Sequence, residues 1–134
     1  MIVVDASVIN KIFLPNEDGY NDAQRIIDNH IIKEEIIIVP DILFYEVSNT
    51  LVTKSHIPLE FIFNSLEKLY LLNLEHIYVT QELIKKAAKI AKTYHISVYD
   101  ASYAALAEEK ECDLLTADRK FVRQLDLPYV KLLE

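Results

Sequence analysis

Glycine, cysteine and long apolar runs are scarce in this chain of 134 residues, and each scarcity excludes something. Gly19 is the single glycine. Dinucleotide fingerprints and phosphate-cradling loops need several, because backbone must approach phosphate closely, so neither can be built here. Cys112 is the single cysteine, which excludes an internal disulfide and makes a reducing, cytoplasmic compartment the expectation. His30, His56, His76 and His95 show no zinc-type spacing, so no structural zinc site is expected. No apolar stretch approaches the ~20 residues of a membrane span. Met1-Ile2-Val3-Val4 runs into Asp5 without a basic segment, so no signal peptide is expected either. Positive charge is also scarce. A formal net charge of −7 weighs against a tight nucleic-acid binder. It does not weigh against an enzyme that touches a phosphodiester briefly, since a bound divalent cation would cancel part of the charge locally.

What is present is a hydrophobic fraction of 51%, enough for one true core over a single domain spanning 1–134. Ile2-Val3-Val4 and Ile36-Ile37-Ile38-Val39 read as short buried strands, the second closed by Pro40. Leu74 to Val79, Leu114 to Thr116 and Pro128 to Leu132 supply three more, the last an edge strand. Between them the spacing predicts helices over 7–14, 20–33, 41–54, 59–70, 81–94, the Asp100 stretch and 118–125. Asp41 and Thr80 are placed to cap two of these, and Ser55 to Pro58 breaks the chain. Strands alternating with helices imply an α/β fold with a mostly parallel sheet flanked by helices.

The acids carry the chemistry. Asp5 is the only charge in the first ten residues, and Glu46 the only one from Ile42 to Thr53. Asp100 is the only charge from Ile96 to Ala107, and Asp118 follows Leu114-Leu115-Thr116-Ala117. Asp5, Asp100 and Asp118 each stand at a predicted helix start, and each alone reads more readily as an N-cap. Glu46 is inside a helix, where capping is impossible and an exposed surface carboxylate is the plain alternative. Asp5 and Asp118 both follow a strand, at the sheet edge where open α/β folds bind ligands. Four acids in apolar surroundings without matching isolated cations suggest one shared metal held by oxygen, hence Mg²⁺ or Mn²⁺.

Taken together, Val4-Asp5-Ala6-Ser7, Glu46 in the helix after Val39-Pro40, Tyr99-Asp100-Ala101 and Thr116-Ala117-Asp118 resemble the PIN-domain ribonucleases. The likeness is greatest to the stand-alone toxins of VapBC type, and it runs through the whole chain in order. The resemblance implies a PIN-like sheet in the order 3-2-1-4-5, with the acids at the strand C-termini, and metal-dependent RNA cleavage leaving a 5′-phosphate. It matches Asp5, Glu46, Asp100 and Asp118 to the family's four acids. Asp5 and Asp100 are then the expected direct metal ligands. Glu46 and Asp118 are ligands, direct or through water, or the base that orients the attacking water. Ser7 and Thr116 match the small hydroxyl residues beside the metal, and Asn10 is placed to touch substrate. The resemblance also implies a homodimer and a small antitoxin that blocks the site.

Lys85, Lys86, Lys89 and Lys92 form a stripe that reads as a solvated helix face. Arg119, Lys120 and Arg123 follow Asp118 and are the candidates for phosphate contact. Tyr99 is a candidate for base stacking, Tyr103 for core packing, and Phe44, Tyr45, Phe61 and Phe63 for a self-association face. A housekeeping RNA-processing nuclease and a non-catalytic interaction module of the same fold are the alternatives. A phosphoacceptor domain is rejected because Asp5 is unpaired and Thr116-Ala117-Asp118 takes the place of its late lysine. Asp5-Ala6-Ser7 likewise fails the Asp-x-Asp of haloacid-dehalogenase phosphatases.

Overall fold

The computed structural model describes residues 1–54 and 56–134; Ser55, within the expected chain break, lies outside the described residues. Five strands form one parallel sheet: β1 (Ile2–Val4), β2 (Ile37–Pro40), β3 (Glu75–Ile77), β4 (Leu114–Thr116) and β5 (Val130–Leu132). Their order is β3-β2-β1-β4-β5. Val3 sits opposite Ile38 on one side and Leu114 on the other. The winding therefore reverses between β1 and β4, which opens a crevice at the C-terminal ends of those two strands. The expected α/β class and strand order are both observed.

Among the described residues seven helices connect the strands: α1 (Ala6–Phe13), α2 (Tyr20–Ile31), α3 (Ile42–Thr53), α4 (Leu59–Leu71), α5 (Gln81–Tyr94), α6 (Val98–Glu109) and α7 (Arg119–Leu125). The central strands β1, β2 and β4 are almost wholly buried, as apolar runs covered on both faces must be. Glu75-His76-Ile77 of β3 is polar because β3 is an edge. It is shorter than the expected Leu74–Val79 because its last partner is Pro40, where β2 turns into α3.

α6 explains the low-charge stretch around Asp100. Ala101 and every residue from Tyr103 to Ala107 are buried, so most of the helix circumference packs against β1, β2, β4 and α5. The alanines let these elements approach closely, and enlarging one would cost about 1–3 kcal/mol in overpacking. Burial of Leu106 contributes about 2 kcal/mol of transfer free energy. Asp100 itself is exposed and lines an open pocket, which corrects the picture of a carboxylate sunk among apolar neighbours.

One expected cap holds and three further expectations change. Thr80 caps α5 as expected, accepting from the Leu83 N–H at 3.1 Å. Asp41 does not cap α3: its backbone is already helical, and its carboxylate contacts His76 Nδ1 at 3.2 Å. Asp100 does not cap α6 either, because Ser97 does, accepting from the Asp100 N–H at 3.0 Å. Ile31, Leu59, Phe63 and Tyr70 lie at helical spacing yet are exposed. No described helix is long and apolar enough to cross a membrane.

Candidate active site

Parallel topology brings the four acids to one edge. Asp5 follows the C-terminal end of β1 directly, and Asp118 follows that of β4 after Ala117. α3 begins at the C-terminal end of β2, so Glu46 in its second turn stays near that edge. α6 must run back toward the start of β4, so its first turn, carrying Asp100, lies at the same edge. The result is an open pocket of about 260 Å³ lined by Asp5, Glu46, Asp100 and Asp118 with Ser7, Asn10, Asn49, Thr50 and Tyr103. Among the described residues no lysine or arginine lines it.

Asp5 is the most constrained of the four. Its Oδ1 accepts from the Ser7 N–H at 3.0 Å and the Val8 N–H at 3.4 Å, so it caps α1. The Ser7 hydroxyl also donates to Oδ1, and the Thr116 hydroxyl donates to Oδ2. Each hydroxyl in turn accepts a backbone N–H, Ser7 from Ala117 at 2.8 Å and Thr116 from Asp118 at 3.1 Å. This network ties the end of β1 to the end of β4. Burial nevertheless dominates and pushes the Asp5 carboxyl up from 3.8 to about 6, with the hydrogen bonds only partly offsetting the lost hydration.

Glu46 is held from the core. Tyr103 is buried, and its hydroxyl donates to Glu46 Oε1 at 2.6 Å. Burial raises the Glu46 carboxyl, the Tyr103 hydrogen bond lowers it, and the charge on Asp100 raises it again. The Tyr103 phenol lies well above its ordinary range, first through burial and then through the adjacent Glu46 charge, so it remains a donor. Partial desolvation of its carboxylate also raises Asp100, offset in part by Ser97 and reinforced by Asp118. Asp118 caps α7, its Oδ1 accepting from Lys120 N–H at 3.0 Å and Phe121 N–H at 3.2 Å. For Asp5 and Asp118, capping and a place in the pocket are thus compatible.

The acids share the pocket without closing on one point. Among the described residues no group of three or more His, Cys, Asp and Glu side chains is placed to hold a metal ion unaided. Glu46 and Asp100, and Asp100 and Asp118, repel each other, and Asp5 and Glu46 are anchored to separate hydroxyls. The donor chemistry still fits Mg²⁺ or Mn²⁺, since every candidate ligand is a hard oxygen and such ions retain several waters. Asn10 adds another oxygen: its Nδ2 donates to Thr50 Oγ1 at 3.1 Å, and its buried Oδ1 has no hydrogen-bond partner among the described residues.

Other candidates fall elsewhere. Arg119 and Lys120 are exposed and do not line the pocket. Tyr99 is exposed, and with Tyr45 and Val98 it borders a separate apolar pocket of about 280 Å³ between α3, α5 and α6. Phe61 and Phe63 are exposed, whereas Phe44 is half-buried and stacks on Tyr70 at 4.9 Å. The anchoring role of Tyr103 was not apparent from the sequence. The available signal was its position three residues after Asp100, on the same helical face.

Comparison with known proteins agrees with this fold. A family model described as PIN domain matches residues 2–125. Ribonuclease VapC3 of Pyrobaculum aerophilum is 31% identical over 127 residues, covering 92% of this chain and 93% of that one. Among solved structures, a toxin–antitoxin complex from Klebsiella pneumoniae superimposes with a TM-score of 0.69 at 15% identity, over 98% of this chain and 96% of that one. VapC20 of Mycobacterium tuberculosis, described as a sarcin-ricin loop cleaving toxin, superimposes with a TM-score of 0.71 at 15% identity, over 92% of this chain and 94% of that one.

Proposed function

The chain belongs to the PIN-domain family, and from that premise we propose that it is an endoribonuclease, the toxin of a toxin–antitoxin pair, requiring Mg²⁺ or Mn²⁺. One observation carries the reading: Asp5, Glu46, Asp100 and Asp118, scattered over the sequence, line a single oxygen-rich pocket at the switch point of the sheet.

Asp5 and Asp100 are the residues assigned to hold the ion, with Asp118 completing the set directly or through water. When bound, a divalent cation supplies stabilisation of charge developing on the phosphoryl group and makes water easier to deprotonate. Glu46 is the assigned proton acceptor. Its raised affinity for a proton suits that task, and Tyr103 fixes Oε1 so that Oε2 takes the proton from the attacking water. In-line attack breaks the P–O3′ bond, and the departing 3′-oxygen takes a proton from solvent, leaving a 5′-phosphate and a 3′-hydroxyl. Ser7 and Thr116 orient Asp5 and bring no charge of their own.

The partner follows from the electrostatics. Four carboxylates in one pocket attract a cation, so a small antitoxin placing a basic side chain there would both satisfy and block the site. Exposed Tyr45, Val98 and Tyr99, around the separate apolar pocket between α3, α5 and α6, are the surface we assign to self-association, in a cytoplasmic protein.

The test is cleavage of RNA by the purified chain with Mg²⁺, with Mn²⁺ and with EDTA, followed by mapping of the RNA ends and comparison with Asp5→Asn. The expected result is metal-dependent cleavage leaving 5′-phosphates, lost in the variant. Undiminished cleavage in EDTA by protein free of contaminating nuclease would overturn the metal assignment. In cells, expression should slow growth, and co-expression of the adjacent small gene product should relieve it.

A further inference from the structure

The acid pocket continues into a groove of about 260 Å³ whose cationic residues are Lys11 and Lys54. Ser7, Asn10, Thr50 and Asp118 line both spaces, so a polymer lying in one is led into the other. The register of two helices produces this. Lys11 follows Ser7 by four residues, one turn of α1, and Lys54 follows Glu46 by eight, at the C-cap of α3. Each helix therefore contributes a pocket residue and, farther along the same face, a lysine.

Neither lysine is spent on a strong internal partner. Lys11 Nζ donates to the Asp18 carbonyl at 2.6 Å, which positions the ammonium and leaves its charge unneutralised. Its stem packs on Gly19, where a Cβ would lie 3.0 Å from Lys11 Cδ. The chain's one glycine, at φ +87°, thus makes room for this lysine. Lys54 Nζ stands 3.7 Å from Glu17 Oε1 in a solvent-exposed pair, the kind that contributes little stability and is readily exchanged for another anion.

We infer that this groove is an anion subsite for the substrate strand: Lys11 and Lys54 hold a phosphodiester neighbouring the scissile one, and that phosphate displaces the Glu17 carboxylate. The inference rests on the nuclease reading above. It accounts for how a chain of net charge −7 holds a polyanion beside four carboxylates, by confining attraction to one side of the pocket.

The test is steady-state cleavage of a fluorescein-labelled single-stranded RNA 12-mer in Mg²⁺ at several salt concentrations. Lys11→Gln and Lys54→Gln should each raise KM about fivefold and flatten the dependence of log KM on log salt by about 0.7, with kcat within about twofold. Lys54→Arg should restore the wild-type KM, and Glu17→Gln should lower it about twofold by removing the competing anion. A merely structural role would give neither the altered salt slope nor the gain in Glu17→Gln. If wild type cleaves RNA and its KM and salt slope are unmoved by either lysine substitution, the groove assignment fails and the nuclease reading stands. If wild type cleaves no RNA, both fall.

Discussion

The β1–α1 and β4–α7 junctions are built alike. Each is a three-residue, mostly buried strand followed, at once or after one alanine, by an aspartate that caps the next helix through Oδ1, Asp5 in one and Asp118 in the other. They sit side by side, since β1 and β4 are neighbours. Yet Asp5 is enclosed by Ser7 and Thr116, and burial pushes its carboxyl up to about 6, whereas Asp118 stands at the exposed rim. A cap is a short-range feature that any helix start can satisfy. The strength with which a carboxylate resists ionisation depends on which strands close over it, and only β1 lies in the middle of the sheet.

Activity should separate the two most strongly. Asp5→Asn removes a charge from the centre of the pocket and should lower cleavage on the order of 10²–10³-fold, while Asp118→Asn should cost about tenfold, in multiple-turnover assays with saturating Mg²⁺. Equal losses would erase the distinction.

Stability without metal should separate them next, and in the opposite sense. Neutralising Asp5 relieves an ionised carboxylate of its burial, so Asp5→Asn should stabilise the protein in EDTA by about 1–3 kcal/mol at pH 7. Asp118→Asn should stay within about 0.5 kcal/mol, because Asn caps helices nearly as well as Asp. Added Mg²⁺ should stabilise wild type more than Asp5→Asn. Thermal unfolding of all three proteins, with and without Mg²⁺, measures both effects, and an Asp5→Asn variant less stable than wild type in EDTA would contradict the account.

The pH dependence sharpens the same contrast. The folded Asp5 carboxyl is raised from 3.8 to about 6, so the folded state binds the extra proton across that window. Its contribution to stability is complete below about pH 3.8 and is lost as pH rises through about 6. Metal-free wild type should therefore gain stability between pH 7 and pH 5, Asp118→Asn should do the same, and Asp5→Asn should show a flatter profile in denaturant titrations.

The smallest expected effect concerns the anchors. Tyr103→Phe removes the donor on Glu46 Oε1 and should cost about 1 kcal/mol of stability. Because that bond lowers the Glu46 carboxyl, its loss should shift the acid limb of the pH–kcat profile to higher pH. An unmoved limb would remove Glu46 from the role of proton acceptor.

Sequence alone determined the alternation of short apolar strands with amphipathic helices, and with it the α/β class. It also located the four acids and marked Asp5 and Asp118 as helix starts, because caps and periodicities act over three or four residues. Its errors were of the same short range. Asp41 looks like a cap until His76, 35 residues away, takes its carboxylate. Asp100 looks sunk among apolar neighbours until the first turn of α6 leaves it exposed at the open pocket. Tertiary structure decided what those residues can do. The Thr116 hydroxyl reaches Asp5 across 111 residues of sequence, Tyr103 reaches Glu46 across 57, and Lys11 meets Lys54 in one groove only because α1 and α3 pack together. Desolvation and Coulomb repulsion depend on distances through space, so the charge state of each acid becomes defined only when the strands have found their order.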